Sequence, residues 1–149
     1  MDSRFDKRRN NNMIIHYVTG SRADFGLMQN VLTRLKDEPT LQISCVVTGQ
    51  HLLEKYGDSR SDIIKSGLEI AVEIPVKLSG LGGAEMGRAL ASELLGFLEF
   101  WSKQRPNLVL VLGDRGEMLA ATLAAVHLGI HVAHIHGGEV SGTLDESFR

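Results

Sequence analysis

Asp114, Arg115, His136, Glu139 and Asp145 are the side chains best suited to moving protons or holding an anion, and they fall in one stretch running from LGDRGEMLA to HIHGGEVSGTLDESFR. Carboxylates and imidazoles gathered in one place are the usual general acids and bases. An arginine beside them offers a planar fork that fits phosphate. Upstream, Arg22 in TGSRADFG and His51 in VTGQHL repeat the arrangement of a polar residue just beyond an apolar run. Each of these also has a purely structural reading. Asp114 suits a helix N-cap, Arg22 can pair with Asp24 across a tight turn, and His136, between a strand and Gly137-Gly138, suits chemistry or structure equally. His134 reads as a hydrogen-bonded buried imidazole. A zinc site built from His134, His136 and Glu139 with His51 matches no recognised ligand spacing, so no metal is expected.

The elements that must position these residues follow from periodicity. The run 108–112, LVLVL, is the pattern of a parallel strand buried on both faces. Gly113 and Asp114 end it, and Met118, Leu119, Thr122, Leu123 and Val126 then recur at helical spacing up to Gly129. Residues 130–135 give the next strand, which opens into His136-Gly137-Gly138-Glu139, so the stretch is a β-α-β unit. Before it, 13–18 and 41–48 read as strands. A helix over 27–36 between them presents Leu27, Val31, Leu32 and Leu35 inward. Short helical turns are expected around Leu52, Leu53 and Tyr56 and over 61–65. Residues 70–76, interrupted by Pro75, read as a shorter strand at a sheet edge, and 77–83 as a mobile loop. The longest helix, 84–103, is expected to face the sheet with Met86, Leu90, Leu94, Phe97, Leu98 and Trp101. Strands alternating with helices imply a doubly wound α/β sheet. In such a sheet ligands meet the carboxyl ends of the strands, the edge on which all the residues singled out above would lie.

The chain has 149 residues, enough for one domain with a sizeable core. Its 16 basic and 18 acidic side chains give a formal charge of −2, which argues against nucleic acid or an anionic membrane as the main partner. A lone cysteine, Cys45, within an apolar run excludes an internal disulfide and suits a reducing, cytoplasmic compartment. Residues 1–12 are expected to be a flexible tail and 13–149 the domain. The first loop lacks both the spaced glycines of a dinucleotide fingerprint and the Lys-Ser/Thr ending of a P-loop, so neither NAD nor a Walker-type ATP site is supported. Thr143 or Asp145 would cap a new helix that the chain reaches only in its first turn, so the sequence is expected to be part of a longer polypeptide.

Four motifs in order, TGSRADFG, VTGQHL, LGDRGEMLA and HIHGGEVSGTLDESFR, resemble the hydrolysing UDP-N-acetylglucosamine 2-epimerases of sialic and legionaminic acid synthesis. The likeness runs from about Ile14 to the last residue. It implies a Rossmann-like amino-terminal domain, one half of the two-domain glycosyltransferase-B arrangement, with the active site in the interdomain cleft and a homo-oligomeric whole. It further implies elimination of UDP across C1–C2 of the sugar, then hydration of the glycal to N-acetylmannosamine, with no cofactor and with a UDP-sugar as the small-molecule partner. Matched by position, Asp114 and Asp145 take the places of acid–base carboxylates. Arg22 takes that of a nucleotide-contacting arginine, and His51 and Arg115 take polar positions at the cleft. Many relatives carry glutamate in a His-Ile-Glu-Gly-Gly-Glu run where this chain has His136, although Glu139 is kept. Either His136 or Glu139 then transfers the proton, or the substrate differs, with UDP-N,N′-diacetylbacillosamine as the alternative. A glycosyltransferase half-domain and a non-catalytic nucleotide-binding or assembly module are the competing readings. The isolated domain is expected to be inactive.

Overall fold

A computed structural model describes residues 12–57, 59–77, 80, 82–140, 142 and 147–148. The element order is β1 (Met13–Thr19), α1 (Arg22–Lys36), β2 (Leu41–Val47), α2 (Arg60–Lys65), β3 (Glu69–Glu73), α3 (Gly83–Trp101), β4 (Leu108–Leu112), α4 (Gly116–His127) and β5 (His131–Ile135), with 3-10 turns at Gly49–Leu52 and Glu54–Tyr56. All strand pairs are parallel, in the order β3-β2-β1-β4-β5. The order reverses direction between β1 and β4, and there the crossovers leave on opposite faces and open a crevice at the carboxyl ends.

Alternation along each strand sends its apolar residues into two cores. Ile15, Tyr17, Ile43, Cys45, Leu110 and Leu112 meet Phe25, Met28 and Leu32 of α1 and Ile63 of α2. Val18, Val46, Val109 and Val111 meet Phe97 and Trp101 of α3 and the alanines of α4 on the other face. This is the doubly wound, Rossmann-like sheet expected, with β3 at an edge and Cys45 fully enclosed in β2. Among the described residues no helix is long and apolar enough to cross a membrane.

The inward faces of the helices differ from the expectation. α1 starts at Arg22, capped by Ser21, and buries Phe25, Met28 and Leu32, while Leu27 is 76% exposed and Val31 is exposed too. Large aliphatic residues alone are a poor guide to phase, because the inward line includes the phenylalanine and methionine of an earlier start. α4 turns Ala120, Ala121, Ala124 and Ala125 inward and leaves Val126 exposed. Small side chains let it lie close to both the sheet and α3, so van der Waals contact replaces the bulk of leucines. On α3 the most buried line is Ala89, Glu93, Phe97 and Trp101. Leu90, Leu94 and Leu98 pack partly buried beside it, and Met86 is exposed. β3 ends at Glu73, short of Pro75. Residues 78, 79 and 81 of the expected loop, residues 1–11 of the expected tail, and 143–146 with Asp145 lie outside the described residues.

One buried polar pair sits in the α3 face. Trp101 Nε1–H donates to His16 Nδ1 at 3.0 Å and Phe100 stacks on the imidazole, whose burial pushes it down to about 4 and holds it neutral.

Candidate functional site at the carboxyl edge of the sheet

Every strand except the edge strand β3 delivers a polar loop to the same rim. After β4, Gly113 adopts φ +80°, a conformation that favours glycine, and turns the chain out of the sheet so that Asp114 and Arg115 stand ahead of α4. The helix N-cap is Arg115, without a side-chain cap bond, so the N-cap role considered for Asp114 is not the one the fold uses. After β5, His136 itself sits at φ +61°. A non-glycine residue in that region is strained, and such strain clusters at functional sites. The two loops are tied together: Gly113 N–H donates to the Ile135 carbonyl at 3.0 Å, and His134 Nε2–H donates to the Gly113 carbonyl at 2.6 Å. His134 is therefore the hydrogen-bonded imidazole expected, though half-buried rather than buried, and its bond fixes the turn that presents Asp114.

The result is a cavity of about 400 Å³ in the crevice between β1 and β4, whose lining includes Ser21, Asp24, Asp114, Arg115, His136 and Glu139. His136 Nδ1 and Glu139 Oε1 lie 2.8 Å apart on the exposed wall. Four of the residues singled out from sequence thus share one concavity with a mixed acid, base and guanidinium character. Arg115 Nε–H donates to Glu117 Oε1 at 2.5 Å. Although burial works against its charge, the Glu117 carboxylate raises the Arg115 pKa and keeps the guanidinium protonated. Among the described residues, no three His, Cys, Asp or Glu side chains are grouped to hold a metal ion.

Two expected residues stand elsewhere. Arg22, at the first turn of α1, pairs with Asp62 of α2 at 2.9 Å on the surface, not with Asp24. His51 is only 2% exposed and both ring nitrogens are engaged, with Thr19 Oγ1 at 2.9 Å and Ser59 Oγ at 2.6 Å. Thr19 gives its proton to Asp24 Oδ1, so the imidazole must donate to Thr19 from Nε2 and accept from Ser59 at Nδ1. Burial lowers the His51 pKa, consistent with that neutral tautomer. A second cavity, of about 590 Å³, adjoins His51, Arg60 and Glu73.

Asp24 is the hub that sequence reasoning passed over. Its carboxylate accepts from the backbone N–H groups of Gly20 and Ser21, from Ser21 Oγ–H, from Thr19 and from the Tyr17 hydroxyl, and it completes a capping box with Ser21. The Ser-x-x-Asp spacing of residues 21–24 was the available signal. Glu93 and Glu117 were missed as well. An acidic residue on the inward line of each helix could have marked them.

A family model described as UDP-N-acetylglucosamine 2-epimerase matches residues 33–149. The chain is 50% identical over 135 residues to a protein of Legionella pneumophila named UDP-N,N′-diacetylbacillosamine 2-epimerase (hydrolyzing), covering 91% of this chain and 36% of that one. It is 30% identical over 132 residues to the UDP-N-acetylglucosamine 2-epimerase of Neisseria meningitidis, covering 89% and 34%. Among solved structures, a UDP-N-acetylglucosamine 2-epimerase superposes with a TM-score of 0.79 at 22% identity over 93% of this chain and 37% of that one, a likeness that speaks for the fold. The chain spans about a third of the length of the curated relatives it matches. With the Rossmann-like sheet, the rim of acid, base and guanidinium, and a family match over most of its residues, this chain belongs to the UDP-N-acetylglucosamine 2-epimerase family.

Proposed function

We propose that the full-length protein is a hydrolysing UDP-sugar 2-epimerase and that this chain supplies the acid–base wall of its active site. The observation that carries the reading is the convergence of Asp114, Arg115, His136 and Glu139 on one cavity at the switch point of the sheet. A base at this wall removes the C2 proton of the sugar, the C1–O bond breaks, and UDP leaves with both bonding electrons, giving a 1,2-unsaturated glycal. Water then adds its oxygen to C1 while a proton returns to C2 from the opposite face, which yields the free 2-epimer. Asp114 is assigned to proton transfer, and the His136–Glu139 pair takes the place of the family glutamate. Arg115 is assigned to the anionic diphosphate. Asp145 is retained as a second carboxylate and Arg22 as part of the nucleotide side, where the buried His51 acts through the loops it ties together rather than by contact. The second domain of the glycosyltransferase-B arrangement would hold most of the UDP and close the cleft. No cofactor is required, and a cytoplasmic homo-oligomer is the proposed setting.

For the sugar, UDP-N,N′-diacetylbacillosamine is favoured over UDP-N-acetylglucosamine. The 50% identity is to a protein named for the former and the 30% identity to one named for the latter. The experiment is incubation of the full-length protein with each UDP-sugar in deuterium oxide, without acceptor, followed by NMR. Release of UDP together with a 2-epimerised free sugar carrying deuterium at C2 is expected. Intact substrate with every UDP-sugar of this class would overturn the reading, and turnover that appears only with an added acceptor would favour the glycosyltransferase instead.

A further inference from the structure

The α3/α4 face of the sheet carries polar groups that the proposed chemistry does not use. Glu93 stands on the inward line of α3 between Ala89 and Phe97 and is 4% exposed. Its Oε1 lies 3.1 Å from Thr48 Oγ1, and the Ile74 carbonyl lies 2.9 Å from the same hydroxyl. A hydroxyl has one proton to give. Thr48 is placed to donate to either acceptor, and where the carbonyl takes its proton the contact with Glu93 is a bond only if Glu93 supplies a proton of its own. The ion pairs among the described residues leave Glu93 without a partner, and a buried carboxylate lacking a counter-ion is costly to ionise. Burial first, and the neighbouring Glu117 second, push the Glu93 carboxyl up to about 7, against the Thr48 hydroxyl and Arg115, which favour the carboxylate.

Glu117 has the opposite surroundings. It bonds Arg115, and its carboxylate fills the space left by two glycines: a Cβ on Gly20 would come within 2.0 Å of Oε1 and one on Gly49 within 3.4 Å. The loops after β1 and β2 and the start of α4 therefore close on this one group. Arg115 is left at a corner shared by the 400 Å³ cavity and a narrow one lined by Glu93 and Glu117.

We propose that Glu117 is a positioning residue that aims Arg115 at the cavity, and that a proton held on Glu93 keeps a further carboxylate, beyond Glu117 and the more distant Asp24, from competing for that guanidinium. The charged groups that act on Glu93 are Glu117 and Arg115, both from the start of α4. The β2 and β3 sides contribute only the Thr48 hydroxyl and the Ile74 carbonyl. When Glu93 loses its proton, its carboxylate joins Glu117 and Asp24 in drawing on one arginine, and Arg115 is pulled down from the rim. The role of Arg115 as an anion holder rests on the function proposed above. The protonation of Glu93 does not.

The test uses the full-length protein as wild type, Glu93→Gln and Glu117→Gln. It reads UDP affinity by calorimetry, KM and kcat against pH, and glutamate carboxyl titration by carbon-13 NMR. The wild type should bind UDP more weakly by about threefold or more from pH 6 to 8, relative to Glu93→Gln, whose amide is a permanent neutral donor. Glu117→Gln should weaken binding and raise KM by roughly fivefold at every pH with kcat changed less than about twofold. One carboxyl should titrate near 7 in the wild type, vanish in Glu93→Gln and move toward the ordinary range in Glu117→Gln. Equal affinities in wild type and Glu117→Gln, or no glutamate titrating near neutrality, would overturn the inference. Should the wild type turn over no UDP-sugar, the proposed function fails, while UDP affinities and the carboxyl titration still decide this point.

Discussion

Two corners of the same rim are made from the same kinds of side chain and do opposite things. At the β1/β2 corner Asp24, Thr19, His51 and Ser59 are buried, and the Asp24 and His51 side chains are engaged with protein partners. At the β4/β5 corner His136 and Glu139 stand in the open and Asp114 reaches the cavity. An aspartate and a histidine are thus buried cement in one place and open to a cavity in the other. Residue type does not distinguish them. What does is burial, because a buried hydrogen-bonded group cannot turn to a ligand without leaving something buried unpaired.

Substitutions can break this contrast in order of their expected size. Asp24→Asn should be the most damaging to folding, since its amide NH2 would face either the backbone N–H groups of Gly20 and Ser21 or the Thr19 and Tyr17 hydroxyls, all of which now donate to a carboxylate oxygen. A loss of about 3 kcal/mol or more in denaturant unfolding is expected, and a loss below about 1 kcal/mol would show that the corner is not sealed as described. Asp114→Asn in the full-length protein should leave the melting temperature nearly unchanged and lower turnover by on the order of a hundredfold or more. A destabilised protein with normal turnover would reverse the assignment of the two corners.

Acidification separates the histidines. His16 and His51 are both pushed down by burial, so each is neutral in the native state and protonated in the unfolded chain below its ordinary value. Stability conferred by keeping them neutral is fully present above about pH 6.5 and is lost as pH falls toward the folded values. For His16, with its folded value about 4, the loss amounts to about 3 kcal/mol. Unfolding followed against pH should show this limb in the wild type and a smaller one in His51→Gln. The smallest effect is expected at Arg22. Its exposed pair with Asp62 should contribute less than about 1 kcal/mol, and Arg22→Ala should weaken UDP binding less than Arg115→Ala does. The reverse order would mean that Arg22 leaves Asp62 for the nucleotide.

The arrangement of parallel strands, the edge position of β3 and the loops that carry Asp114 and His136 were readable in the sequence, because buried parallel strands form unbroken apolar runs and their exits are punctuated by glycine. The sealing of His51 was not readable. It depends on Thr19, Asp24 and Ser59, which lie on different elements and meet only after folding. The alanine face of α4 was missed because small side chains carry little hydrophobic signal yet permit the closest approach. Glu93 was missed because its burial and its neighbours Thr48, Ile74 and Glu117 come from elements far away in the chain.

Cys45 lies fully enclosed in β2, and burial, with Asp24 adding to it, holds the thiol up to about 12. A thiol reagent therefore needs both access and deprotonation, and the native state offers neither. Since it is the sole cysteine of these 149 residues, its labelling rate counts how often the sheet comes apart around β2. The domain carries a built-in unfolding clock, ready to time the sealed corner without any added probe.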